Sequence, residues 1–147
     1  RWPDIGFSLR GRADRIDQTE RGTMRLYDYK TGSAPTAAEQ RVFDKQLLIE
    51  AAMLENGAFD HFGPQPVEAA VFIGLGAQKE VDAPLESEPP DRVLAQLRQL
   101  IEAYLAPGQG FTARRLMQKI QHAGDYDLLA RYGEWDETDD PDPEGLT

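Results

Sequence analysis

Two segments near the start of the chain alternate polar and apolar residues, with a glycine turn between them. From Ile5 to Asp17, Phe7, Leu9 and Ala13 fall on one side, and Ser8, Arg10, Arg12 and Asp14 on the other. From Thr23 to Lys30, Met24, Leu26, Asp28 and Lys30 share one face, and Arg25, Tyr27 and Tyr29 the other. A period of two is the mark of a half-buried strand. The intervening Glu20-Arg21-Gly22 suits a hairpin loop, with Gly22 supplying a positive φ. Pairing in which residue numbers sum to about 42 sets Asp14 opposite Asp28, Ile16 opposite Leu26 and Asp17 opposite Arg25. The last is a cross-strand ion pair. The first brings two carboxylates face to face, which is destabilising unless Lys30 or a divalent cation neutralises them.

After Gly32-Ser33-Ala34-Pro35 breaks the strand, Thr36-Ala37-Ala38-Glu39 forms a capping box. It opens a helix expected to run to Glu55 and stop at Asn56-Gly57. Its inward stripe reads Val42, Phe43, Gln46, Ile49 and Met53, with Glu50 one turn beyond Gln46. Val67–Ile73 is an apolar run suited to a central strand buried on both faces. Gln78 to Pro84 is a candidate edge strand. A second amphipathic helix follows Pro89-Pro90-Asp91, carries Val93, Leu94, Leu97, Leu100, Ile101 and Tyr104, and ends at Pro107-Gly108. The aromatic segment Gly124 to Trp135 is expected to pack back on the core. The order β-β-α-β-(β)-α makes an α/β fold, a mixed sheet flanked by helices. Residues 1–135 are expected to form the domain and 136–147 an acidic, flexible tail.

At 147 residues the chain fits one domain with a hydrophobic core. It has no cysteine, which excludes disulfides, zinc-thiolate sites and iron–sulfur clusters. No run approaches the ~18 apolar residues of a membrane span, so a cytoplasmic protein is expected. The net charge of -10 opposes nucleic-acid binding if taken alone. Its distribution says otherwise. Up to Lys30 there are seven Lys/Arg against five acids, whereas from Glu134 onward there are seven acids and no base. The chain begins at Arg1 in strand-like sequence without Met, as an excised piece of a longer protein would.

Asp14 and Asp28 on adjacent strands could share a hard divalent cation, which takes oxygen ligands and retains several waters when one or two carboxylates bind it. Lys30, two residues after Asp28 on the same face, could hold the attacking water and stabilise a pentavalent phosphate. Such a set suits phosphodiester hydrolysis. The plainer alternatives stand beside it. An Asp-x-Lys on a strand is commonly a solvated face, Arg15 with Asp17 a structural ion pair, and Gln46 a tolerated residue at the edge of an apolar stripe. His61 and His122 lack metal-ligand spacing.

The combination of Gly11-x-x-Asp14, Asp28-Tyr29-Lys30-Thr31 and the helical Gln46 resembles the PD-(D/E)XK nucleases, in the branch of RecB and the AddA/AddB helicase–nucleases. The runs Gln46-Leu47-x-x-Glu50-Ala51-Ala52 and Tyr126 to Trp135, with the absence of cysteine, look most like AddB nuclease domains. The resemblance implies a restriction-endonuclease-like fold and Mg²⁺ or Mn²⁺ held by Asp14, Asp28 and the Tyr29 carbonyl. It implies a catalytic Lys30, with Gln46 steadying the site or touching DNA beside Arg12 and Arg15. It further implies a bacterial cytoplasmic exonuclease that cuts single-stranded DNA and partners an AddA-like subunit in double-strand-break repair. A non-catalytic scaffold that docks a partner subunit or guides DNA is the alternative. A nuclease of the same fold serving CRISPR adaptation or mobile elements is a third. Two departures are notable. Glu50 stands where the family's Gln-x-x-x-Tyr motif has Tyr, and the family helix that precedes the first strand, with its His or Glu, would lie before Arg1.

Overall fold

The structure, a computed structural model, describes residues 1–76, 79–110 and 134. The chain divides into two compact units, Arg1–Glu102 and Ala103–Thr147. All the strands described lie in the first. The aromatic segment Gly124–Trp135 and the expected tail fall, except for Glu134, outside the described residues.

Four strands make one mixed sheet in the order β1-β2-β3-β4: β1 (Arg15–Gln18), β2 (Met24–Lys30), β3 (Val67–Gly74) and β4 (Lys79–Asp82). β1 and β2 form the expected hairpin, and β4 is antiparallel to β3. β2 and β3 are parallel. A parallel pair needs a crossover, and it is supplied by α1 (Ala37–Val42) and α2 (Gln46–Glu55). A third helix, α3 (Pro90–Leu105), follows β4. This is the mixed, helix-flanked sheet expected from the pattern of elements.

The hairpin register is the anticipated one: Arg15 faces Tyr27, Ile16 faces Leu26 and Asp17 faces Arg25. The loop closes through Gly22, with φ at 82° and its N–H bonded to the Thr19 carbonyl at 2.9 Å. Burial along β2 alternates as its sequence does. Met24, Leu26 and Asp28 are buried, while Arg25 and Tyr29 are exposed. The core lies on the Met24 face, where Leu47, Leu48, Ala51 and Leu54 of α2 join Ala70 and Phe72 of β3 and Val93 of α3. Each such aliphatic side chain contributes on the order of 1.5–3 kcal/mol when fully buried.

Three local expectations are corrected. The strand expected over Ile5–Asp17 begins only at Arg15. Upstream, Pro3–Ile5 makes a 3-10 turn that ends in left-handed Gly6, and Trp2 pairs back to Phe7 with its ring stacked 5.6 Å away. The chain then passes over α2, where a Cβ on Gly11 would sit 3.5 Å from the Met53 sulfur.

The single helix expected from Thr36 to Glu55 is two helices. The capping box opens α1 as read, with both reciprocal hydrogen bonds formed. α1 ends at Phe43, and Asp44 Oδ1 accepts from the Gln46 N–H at 3.4 Å, which restarts the helix. The stripe shifts with the break: Val42 and Phe43 are 57% and 41% exposed, and the buried set is Leu47, Leu48, Ala51, Ala52 and Leu54.

The Asp17–Arg25 ion pair does not form. Asp17 takes two hydrogen bonds from Arg15, at 2.9 and 2.6 Å, while Arg25 turns to Glu68 at 2.6 Å. Glu68 is available because the β2–β3 register slips by one residue there: Met24 faces Val67 but Arg25 faces Ala69.

Candidate active site

The site forms where β2 ends. Period-two alternation puts Asp28 and Lys30 on the core face, two and four residues beyond Leu26. α2 covers that face and runs back along it, so its first residue, Gln46, arrives at the carboxyl end of the strand. In open α/β sheets this is the end at which ligands collect. The break between α1 and α2 is what frees Gln46 to begin a new helix there. Lys45, just before it, is anchored to buried Glu88 at 2.9 Å. That bond holds the Glu88 carboxyl below the usual carboxylate range.

Gln46 joins the two motif residues through one amide. Its Nε2 donates to Asp28 Oδ1 at 2.7 Å, and its Oε1 accepts from Lys30 Nζ at 2.9 Å. Lys30 Nζ also lies 2.9 Å from Asp28 Oδ2. That ion pair is the contact made by this buried oxygen. The ammonium further sits over the Phe72 ring, 5.1 Å from its centroid. Asp28 is buried and Lys30 half-buried, so little water screens the group.

Asp14 reaches the same end of β2 from outside the ladder. Pairing stops at Arg15–Tyr27, so Asp14 and Asp28 are not the cross-strand pair expected. Asp14 Oδ2 instead accepts the Tyr29 N–H at 3.0 Å. The backbone explains why that amide is free. The Leu75 N–H donates to the Lys30 carbonyl at 2.9 Å, and in a parallel pair alternate residues bond the same neighbour. Asp28 and Lys30 therefore spend their backbone groups on β3, and Tyr29 directs its N–H and carbonyl toward β1. The Tyr29 carbonyl thus shares an edge with the Asp14 side chain.

Arg12 is exposed. Arg15 is committed elsewhere, held by Asp17, 3.4 Å from the Tyr29 hydroxyl and stacked over the Tyr27 ring at 5.0 Å. Hydrogen bonding between the two lowers the Asp17 carboxyl and raises the Arg15 guanidinium from their ordinary ranges. Among the described residues His61 makes an edge contact with Phe62.

One acid at this site stood out in the sequence as a departure from a motif and as lying one turn beyond Gln46, without a role. Glu50 is buried, accepts from Gln46 Nε2 at 3.3 Å, and keeps Oε2 buried without a donor. Burial, then the charges of Asp28 and Asp14, push its carboxyl above the usual range. The available signal was spacing: four residues after Gln46, it must share that face of the helix.

Asp28, Lys30 and Gln46 thus meet through hydrogen bonds and an ion pair at the end of a strand, with Asp14 beside them. The model of the PD-(D/E)XK nuclease superfamily matches residues 2–122. The chain belongs to the PD-(D/E)XK nuclease superfamily. No curated protein and no solved structure matches it.

PD-(D/E)XK nucleases act on nucleic acid and generally use divalent metal ions. The residues fit such an ion in two respects. The candidate donors are all oxygens, the choice of hard cations, and Glu50 Oε2 is buried without a hydrogen-bond donor. Among the described residues no three acidic or histidine side chains converge closely enough to hold an ion by themselves. That suits a cation of the Mg²⁺ type, which keeps waters and takes one or two carboxylates. Among the described residues no helix is long and apolar enough to cross a membrane.

Proposed function

We propose that this PD-(D/E)XK chain is a Mg²⁺- or Mn²⁺-dependent deoxyribonuclease. The observation that carries the proposal is the Gln46 amide, which ties Asp28 to Lys30 at 2.7 and 2.9 Å. A tolerated surface residue has no reason to bridge a buried acid and a base. Asp14, Asp28 and the Tyr29 carbonyl would hold the cation, which when bound polarises the phosphate and acidifies water.

The remaining work falls to the chain. Lys30 Nζ orients the attacking water and donates to a phosphate oxygen as charge builds there. Water gives up a proton to solvent as it adds to phosphorus, the bond to the bridging oxygen breaks, and that oxygen takes a proton from solvent as it leaves. Gln46 keeps Lys30 and Asp28 at a fixed separation through this exchange. Exposed Arg12 meets the phosphate backbone on the approach side, with Arg15 beyond it on the sheet.

The finer reading is an exonuclease acting on single-stranded DNA, as a domain of an AddB-like subunit beside an AddA-like helicase in the bacterial cytoplasm. Its support is the set of motifs at Gly11–Asp14, Asp28–Thr31 and Gln46 and the lack of cysteine. Co-purification with an AddA-like helicase tests the partnership. The nuclease reading is tested by incubating the full chain with end-labelled single-stranded DNA and Mn²⁺. Cleavage that stops on chelation is the expected result, and no cleavage at any metal concentration counts against it.

One observation favours the scaffold alternative: the net charge of -10, which opposes a nucleic-acid substrate. Calorimetric titration with Mn²⁺ separates the two. A nuclease site binds the ion and loses it in Asp14→Ala, whereas a scaffold shows no binding to lose.

A further inference from the structure

The amide that serves Asp28 serves a second acid. Gln46 Nε2 lies 2.7 Å from Asp28 Oδ1 and 3.3 Å from Glu50 Oε1, so two carboxylates converge on one nitrogen. Asp28 is 5% exposed and Glu50 6%. Glu50 keeps a second oxygen, Oε2, buried with no hydrogen-bond donor, whereas Asp28 Oδ2 faces Lys30 Nζ at 2.9 Å. Lys30 is the cation at hand, and its ion pair is with Asp28. A buried acid with an unmatched oxygen is costly to a fold, because it has given up water and received nothing in return. Two acids share one NH₂ group here, and the Glu50 oxygen left over is one that a divalent cation with its water shell would satisfy.

We propose that Glu50 is a third acidic group of the site, a positioning residue that acts on the divalent cation through its bound water. The inference rests on the nuclease reading above. An outer position follows from two observations. The acids do not converge as three direct ligands, and Glu50 is tied to Asp28 through Gln46 rather than by contact with Asp14. A cation that retains waters needs acceptors for their protons, and a buried carboxylate oxygen without a donor is such an acceptor. Glu50 thereby fixes Gln46 as well: with the ion in place, the amide is held between two acids rather than pulled toward one.

The test uses the full chain without DNA. Mn²⁺ affinity is measured by calorimetry, and melting temperature with and without Mn²⁺, for the parent, Glu50→Gln and Asp28→Ala. Glu50→Gln is expected to weaken Mn²⁺ binding about tenfold, the usual scale for a group acting behind the ligands. Without metal it should melt at or above the parent, since a neutral amide replaces a buried charge of the same shape. Its gain in melting temperature on adding Mn²⁺ should be smaller than the parent's. Parent-like Mn²⁺ affinity in Glu50→Gln overturns the proposal. So does an equal fall in melting temperature with and without Mn²⁺, which marks a purely structural residue. If Asp28→Ala retains Mn²⁺ as the parent does, the metal site itself is misplaced, a failure distinct from that of Glu50 alone.

Discussion

Strand β2 carries two charged clusters, and they are finished differently. On the outer face, Glu68 sits among Arg21, Arg25 and Thr23. Its Oε1 accepts from Arg25 at 2.6 Å, and its Oε2 from Arg21 at 2.9 Å and Thr23 at 2.5 Å. On the inner face, Asp28 and Glu50 are buried and share one amide; Asp28 Oδ2 has Lys30 at 2.9 Å, while Glu50 Oε2 has no donor. In the outer cluster both carboxylate oxygens have donors, two of them from arginines that lie open to water. The inner one lacks a donor where water is scarce. Charge in the first stitches β3 to the hairpin. In the second, on the proposed function, it would serve the bound cation. The degree to which charges are satisfied, rather than their number, separates a structural network from a working site.

The largest expected contrast is in catalysis. Lys30→Met should lower the rate of DNA cleavage by about 10³-fold, since it removes both the contact to water and the charge on phosphate. Glu68→Gln should leave the rate unchanged. Comparable losses in the two would erase the distinction between the clusters.

Next in size is stability. Phe72 lies fully buried between the strands and under Lys30. Phe72→Ala should cost about 3–5 kcal/mol in urea unfolding, with metal affinity falling as well. A loss under 1 kcal/mol would mean that the inner face is less tightly packed than its burial indicates.

Gln46→Ala should lower the cleavage rate by about tenfold, or ~1.4 kcal/mol at the transition state, with the fold intact. A Gln46→Ala protein that cuts as fast as Glu68→Gln would remove Gln46 from the site.

The smallest effect is in acid. Hydrogen bonding from Thr23, then from Arg25, holds the Glu68 carboxyl below its ordinary range. A depressed acid stabilises the fold above its unfolded value, about 4.3, and that contribution is lost as pH falls through the lower folded value. Chemical denaturation between pH 6 and pH 3, roughly the range in which carboxylates titrate, should therefore show a shallower acid loss in Glu68→Gln than in the parent. High salt should shrink the difference, because the cluster is exposed.

Much of this was legible from local rules. The alternation of Met24, Leu26 and Asp28 and the positive φ of Gly22 determine the hairpin and its register, because both act within a few residues. The Thr36 capping box was equally local and formed as read. Elsewhere local signals competed with distant ones. Asp17 faces Arg25 as expected, but Arg25 prefers Glu68, which lies 43 residues away and is offered by a register slip that no spacing announces. The helix break at Phe43–Lys45 depends on the Asp44 side chain taking the Gln46 amide and on Glu88 holding Lys45. A continuous helical period hides both. Asp14, Asp28, Lys30 and Gln46 could be named because their types and spacing form a pattern. That Asp14 caps the Tyr29 amide instead of facing Asp28 follows from where the ladder ends. Glu50 could be placed on the right face, but its burial and missing donor are properties of the packed site alone.

The most direct trial of the central claim is cleavage of end-labelled single-stranded DNA by the parent, Asp28→Asn and Glu68→Gln, side by side, with Mn²⁺ and with chelator. The account predicts that the parent and Glu68→Gln cut alike with Mn²⁺, that Asp28→Asn does not cut, and that chelator silences all three. Cleavage that survives chelation, or an Asp28→Asn protein that cuts as fast as the parent, would contradict it.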